Sequence, residues 1–112
     1  MIGIYDMHSH ILPGLDDGAR DMEDTMETLQ EAVRQKIRGI IATPHFHPGK
    51  FLTDSRQVLN VLKQVQEECR KLNLEIRLYP GHECYYYSGL VQALKTGEAL
   101  PLAGSRYVLV EF

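Results

Sequence analysis

Two apolar stripes with helical spacing, each standing between short apolar runs, constrain this chain more than any other feature. The first stripe is Met26, Leu29, Val33 and Ile37; the second is Val58, Val61, Leu62, Val65, Cys69 and Leu72. Steps of three and four residues place each set on one side of a helix. Asp21 is the predicted N-cap of the first helix, which runs from Met22. Thr53 or Asp54 opens the second, and Asn73 stops it. The flanking runs are strand candidates: Ile2 to Met7, Arg38 to Thr43, Ile76 to Tyr79 and Tyr107 to Val110. Gly39 is expected near the turn into the second strand, whose Ile40-Ile41-Ala42 has the two-sided burial pattern of a parallel sheet. A short third helix, capped by Ser88 and closed by Gly97, carries Val91 and Leu94. The order is therefore β-α-β-α-β-α-β. Helices between strands imply parallel strands with right-handed crossovers, an α/β fold.

The totals narrow the function classes. A chain of 112 residues makes one domain at most. Its net charge of −3, without a basic run, gives no basis for nucleic-acid or membrane-surface binding. No apolar stretch reaches transmembrane length, and Met-Ile-Gly-Ile-Tyr-Asp lacks the features of a signal peptide. A cytoplasmic location is the expectation. Cys69 and Cys84 have no paired spacing, which argues against a disulfide framework or zinc ribbon. Cys69 falls on a helix stripe and reads as a small buried hydrophobe, whereas Cys84 has no obvious place.

The chemistry gathers where the strands end. His8 and His10 close the first run, and alternate residues of a strand share a face. His45 follows the second run, Glu83 the third, and Glu111 ends the fourth. All five histidines (His8, His10, His45, His47 and His82) lie at strand ends, and none lies on a helix stripe. Ligand sites of α/β folds occupy that rim. Taken singly, His47 and His82 are ordinary polar residues, and Asp16-Asp17-Gly18 is a turn with Asx caps. Glu111 stands between Val110 and Phe112, where a buried carboxylate needs a partner. Together the candidates are nitrogen and oxygen donors without a thiolate pair, a set suited to Mn²⁺, Fe²⁺ or Zn²⁺. Their number exceeds what one ion needs. A multinuclear centre of this kind is built for phosphoester hydrolysis.

The segment Asp6-Met7-His8-Ser9-His10-Ile11-Leu12-Pro13-Gly14-Leu15-Asp16-Asp17-Gly18-Ala19 resembles the opening motif of the bacterial capsule- and exopolysaccharide-operon tyrosine phosphatases of the PHP superfamily, the CpsB/CapC type. Ile41-Ala42-Thr43-Pro44-His45, Pro80-Gly81-His82-Glu83 and Tyr107-Val108-Leu109-Val110-Glu111-Phe112 resemble its next three motifs, in order. The resemblance implies parallel (β/α) units forming the N-terminal half of a distorted, TIM-like (β/α)7 barrel, with residues 1–112 as a partial PHP domain. It implies a trinuclear, usually Mn²⁺-dependent site, with Fe²⁺ or Zn²⁺ as alternatives. By the same resemblance His8 and His10 share an ion with Glu83, Asp17 and His45 belong to another, Glu83 bridges, and Glu111 joins the cluster. Asp17 is preferred to Asp16 because the family's ligand is the second aspartate. Asp17, His45 and Glu111 are then the candidate catalytic residues.

The implied substrate is a phosphotyrosine protein, the tail of a cognate bacterial polysaccharide-assembly tyrosine kinase. Alternatives are another PHP phosphoesterase, such as a histidinol-phosphate phosphatase, and a non-catalytic half-barrel that binds metal. The family's later motifs, a histidine followed by an arginine and a further Asp-x-His, have no counterpart after Glu111. A full barrel needs about twice this length. The chain alone is therefore expected to be weakly active or inactive, and to self-associate through open sheet edges. Arg20 and Lys50 are candidate phosphate contacts on rim loops, although solvated surface charge is the simpler role for each.

Overall fold

The computed structural model describes residues 3–51 and 53–112, so Ile2 of the first predicted strand lies outside the described residues. The elements are β1 (Ile4–Ser9), α1 (Met22–Arg34), β2 (Ile37–Ala42), β3 (His45–Phe46), α2 (Ser55–Lys71), β4 (Arg77–Pro80), β5 (Glu83–Tyr85), α3 (Leu90–Thr96), a 3-10 turn at Leu102–Gly104, and β6 (Leu109–Glu111). Every pairing among the described residues is parallel. The α/β class with parallel strands is therefore as expected, but the strands form two sheets, β1-β2-β4 and β3-β5-β6.

The second sheet arises from two interruptions. Thr43-Pro44 separates β2 from β3, and Gly81-His82 separates β4 from β5. Proline cannot donate to a ladder, so each extended run stops and resumes displaced. The resumed pieces pair with each other as their parents did: Ala42 stands opposite Pro80, and His45 opposite Glu83. β1 flanks β2 in the first sheet, and β6 flanks β5 in the second.

The long helices follow their sequence signals. Asp21 Oδ1 accepts the Asp24 N–H at 2.9 Å, and Asp54 Oδ1 accepts the Gln57 N–H at 3.0 Å, so each caps its helix. α1 is shorter than its stripe. It ends at Arg34, Lys36 turns the chain at φ 67°, and Ile37 opens β2 opposite Ile4. Ile37 thus belongs to the strand, as does Gly39. A side chain at Gly39 would come within 2.5 Å of the Tyr5 ring carbons, so this position needs glycine for close packing across the ladder. On α2, Val58, Leu62, Val65 and Cys69 are buried, Leu72 is exposed, and Asn73 at φ 53° ends the helix. α3 departs further from expectation. Gly89 is its N-cap and Ser88 makes no cap; Leu90 and Ala93 face the core, while Val91 is 60% exposed. Tyr107 likewise lies outside β6 and is exposed.

Two apolar clusters result among the described residues. Leu12, Leu29, Ile40, Val58, Val65 and Leu78 lie in the first. The second gathers Phe46, Cys84, Leu90, Ala93 and Ala99. Each fully buried large side chain contributes about 1.5–3 kcal/mol. Cys84 therefore has a place, as core. Burial, with the neighbouring Glu83 charge, pushes its thiol up to about 11, so it stays protonated. No helix among the described residues is long and apolar enough to cross a membrane.

The outer strand β1 presents Ile4, Tyr5 and Met7 to solvent, and Phe112 is exposed beside β6. Unpaired edges with apolar side chains invite pairing with another chain. The purified 112-residue chain is accordingly expected to gain apparent mass with concentration in light scattering. A monodisperse monomer with strong amide protection in β1 and β6 would show that the fold shields its own edges.

Candidate metal centre

The carboxyl ends of β1, β2 and β4, with the start of the second sheet, converge on one spot. The Nε2 atoms of His8 and His10 are 3.3 Å apart, as expected for alternate residues sharing a face. Glu83 Oε1 reaches both, at 3.0 Å from His8 Nε2 and 2.8 Å from His10 Nε2. The same oxygen is 3.7 Å from His45 Nδ1, which is 3.2 Å from Glu111 Oε1. Asp17 Oδ1 lies 3.4 Å from His45 Nε2. The strand register explains the meeting: His45 stands opposite Glu83, and Glu111 stands opposite Tyr85 on the adjoining strand. All six predicted ligands therefore come together, in overlapping groups whose donor atoms lie within 4.8 Å of one another.

The loop from His10 to Ala19 folds back onto β1. Ala19 N–H donates to the His10 carbonyl at 3.0 Å. A Cβ on Gly18 would stand 2.3 Å from that carbonyl oxygen, so only glycine allows this approach. The same fold separates the two aspartates. Asp16 is 1% exposed at its side chain and binds the His10 ring, whereas Asp17 is 68% exposed at the mouth of the cluster. The burial of Asp16 was not foreseen. An Asx cap was the available signal, and Asp16 Oδ1 does accept the Gly18 N–H at 2.9 Å.

Charge in the cluster is finely opposed. Burial favours the neutral ring of His10, but the hydrogen bond and charge of Asp16, with the charge of Glu83, outweigh it and raise its pKa. Burial pushes the Glu83 carboxyl up, yet the hydrogen bond with His8 and the nearby His45, His8 and His10 rings bring it below its ordinary value.

His45 Nδ1 supplies the test of whether these residues fit a metal. It is buried and makes no hydrogen bond among the described residues, although two carboxylates stand within 3.7 Å. The Glu83 contact is too long for a hydrogen bond, and the Glu111 contact, though within reach, does not form one. A divalent cation between these groups would satisfy the ring lone pair and the carboxylates together. Imidazole and carboxylate donors suit Mn²⁺, Fe²⁺ or Zn²⁺. The residues fit such ions.

The remaining candidates do other things. His82 is wholly buried; its Nε2–H donates to the Thr53 carbonyl at 2.5 Å, and its Nδ1 accepts the Leu100 N–H at 2.9 Å. Burial holds its pKa down at about 4, so the ring is neutral, and its place is structural. His47 stacks on Tyr85 with ring centroids 3.9 Å apart. Arg20 is engaged with Asp24 at 2.9 Å. Lys50 lies 5.5 Å from the Phe51 ring centre, and Phe51 stacks on His45 at 5.3 Å. Phe51 is thus a neighbour of the cluster that no sequence pattern singled out.

Residues 4–112 match the family described as "Capsular polysaccharide synthesis, CpsB/CapC". The chain belongs to the CpsB/CapC family. It is 38% identical over 109 residues to tyrosine-protein phosphatase YwqE of Bacillus subtilis, covering 97% of this chain and 43% of that protein. It is 34% identical to tyrosine-protein phosphatase CpsB of Streptococcus pneumoniae, covering 97% of this chain and 45% of that one. In three dimensions it superposes with a TM-score of 0.92 on a chain from the crystal structures of B. subtilis YwqE and S. pneumoniae CpsB, described as unique metal-dependent tyrosine phosphatases. That match has 38% identity and covers 97% of this chain and 44% of the other. The chain thus spans less than half the length of the curated relatives it matches.

Proposed function

We propose that this chain carries the first part of the active centre of a metal-dependent protein-tyrosine phosphatase, acting on a phosphorylated polysaccharide-assembly tyrosine kinase in the cytoplasm. The observation that carries this proposal is the convergence of His8, His10, His45, Glu83 and Glu111 around the orphaned His45 Nδ1, with Asp17 at the mouth. Family membership and the phosphatase names of the relatives support it. The two parallel sheets represent, on this proposal, the N-terminal half of a distorted PHP barrel whose other half completes the rim.

His8, His10 and Glu83 would hold one ion, and His45, Asp17 and Glu111 a second, with Glu83 between them and Mn²⁺ as the preferred metal. Bound divalent ions supply Lewis-acid charge, which draws in a phosphoester, acidifies water and neutralises the leaving oxygen. The protein's own contribution is positional. The β3–β5–β6 ladder fixes the spacing of His45, Glu83 and Glu111. Asp17 stays exposed and can meet incoming substrate at the mouth. Phe51 covers one face of His45 and keeps water from that side.

The test is hydrolysis by this chain with Mn²⁺, alone and with the second half of a curated relative supplied in cis or trans. The chain alone should cleave p-nitrophenyl phosphate slowly or not at all, and supplying the other half should raise a rate that chelator abolishes. Phosphotyrosyl peptide should be preferred to histidinol phosphate. Chelator-insensitive turnover, or preference for histidinol phosphate, would overturn the proposal.

A further inference from the structure

We infer that Asp16 is a positioning residue that fixes the tautomer of His10 and ties the end of β1 to the start of β3, rather than a ligand. The inference rests on the metal-centre proposal above only for its consequence for metal affinity. The geometry itself stands apart from it. Asp16 is the most enclosed carboxylate of the cluster, at 1% side-chain exposure. Its two oxygens are already occupied by donors. Oδ2 accepts the His10 Nδ1–H at 2.8 Å and the His45 backbone N–H at 2.9 Å. Oδ1 accepts the Gly18 N–H at 2.9 Å.

Two results follow from those three bonds. With its proton on Nδ1, His10 presents a bare Nε2 toward Glu83 and His8, the side where the other donors gather. Each ring nitrogen faces a carboxylate at 2.8 Å, but Glu83 Oε1 can take its proton from His8 Nε2 at 3.0 Å. Asp16, pinned by the Gly18 and His45 N–H groups, has His10 as its one side-chain donor among the described residues, so the opposite tautomer would set lone pair against lone pair there. A carboxylate behind a ligating imidazole also raises its basicity. Secondly, the bond to the His45 N–H spans 29 residues of sequence and joins the end of β1 to the start of β3. Asp17, adjacent in sequence, has neither bond and points outward. The two aspartates of one dipeptide therefore have separate tasks: one holds the scaffold, and one faces the mouth.

The experiment is histidine ¹⁵N NMR on the metal-free 112-residue chain, at a pH where the rings are neutral, with Zn²⁺ titration by calorimetry in parallel. In the wild type His10 should be in the Nδ1–H form. Asp16→Ala should shift it toward the Nε2–H form and weaken Zn²⁺ binding about 10- to 100-fold. Asp16→Asn keeps one acceptor oxygen of the same size and should lie between the two, which keeps the test open if the alanine variant folds poorly. A wild-type His10 in the Nε2–H form, or a tautomer unchanged in both variants, would overturn the inference whatever happens to affinity. Absence of Zn²⁺ binding by the wild type would count against the metal-centre proposal, and the tautomer measurement would still decide the role of Asp16.

Discussion

Glu83→Ala is expected to reduce the affinity of the chain for Mn²⁺ and Zn²⁺ by more than about 100-fold, beyond the usual cost of altering an outer-shell partner. One oxygen, Glu83 Oε1, approaches His8, His10 and His45 at 3.0, 2.8 and 3.7 Å. Deleting it removes the anionic centre of two overlapping donor groups at once. By contrast, Asp17→Ala removes one exposed carboxylate from the mouth and should cost less. Calorimetric titration of both variants with each ion measures the difference. Equal uptake by wild type and Glu83→Ala would place any metal elsewhere.

The second large effect is on stability. His82→Ala should destabilise the fold by about 3–5 kcal/mol, from the cavity left by a buried ring and from two stranded backbone groups. The Thr53 carbonyl loses its donor, and the Leu100 N–H loses its acceptor. The ring also packs near Phe46, with centroids 5.1 Å apart, where the second sheet meets the segment leading into α2 and the segment after α3. Urea unfolding followed by circular dichroism gives the value. A loss under about 1 kcal/mol would mean that water or a rearranged loop replaces both bonds.

Local signals carried the helices, and long-range ones were beyond a sequence reading. Asp21 and Asp54 announce the two long helices because a cap needs only the next three residues. His8 and His10 share a face because strand alternation is also local. β3 is two residues long and β5 three, too short for any period, so two of the second sheet's three strands were hidden inside what read as loops, while β6 overlaps the predicted fourth strand. α3 has only seven residues, and a rotation of one position exchanges Leu90 for Val91 on its buried face. The Asp16 and Asp17 pair illustrates the same limit. Which of them is buried depends on His45, 29 positions further on. The convergence of His8, His10, His45, Glu83 and Glu111 was legible because strand ends share a rim in parallel folds, a rule that needs no knowledge of register, whereas Asp17 entered through the family resemblance.

The donors of the cluster are distant neighbours: His8 and His10 stand 75 and 73 positions from Glu83 in the chain. An ion held by them, on the function proposed here, finds its site only after β1, β3, β5 and β6 have all been placed. Unfolded and half-assembled chains offer it no more than the local His8 and His10 pair and scattered single ligands. Free ion therefore selects the completed topology, adding about 1.4 kcal/mol of stability for each tenfold excess over its dissociation constant. The centre then acts as a checkpoint on assembly: a strand out of register forfeits the ion, and with it the stability that separates a correctly threaded chain from its misfolded competitors.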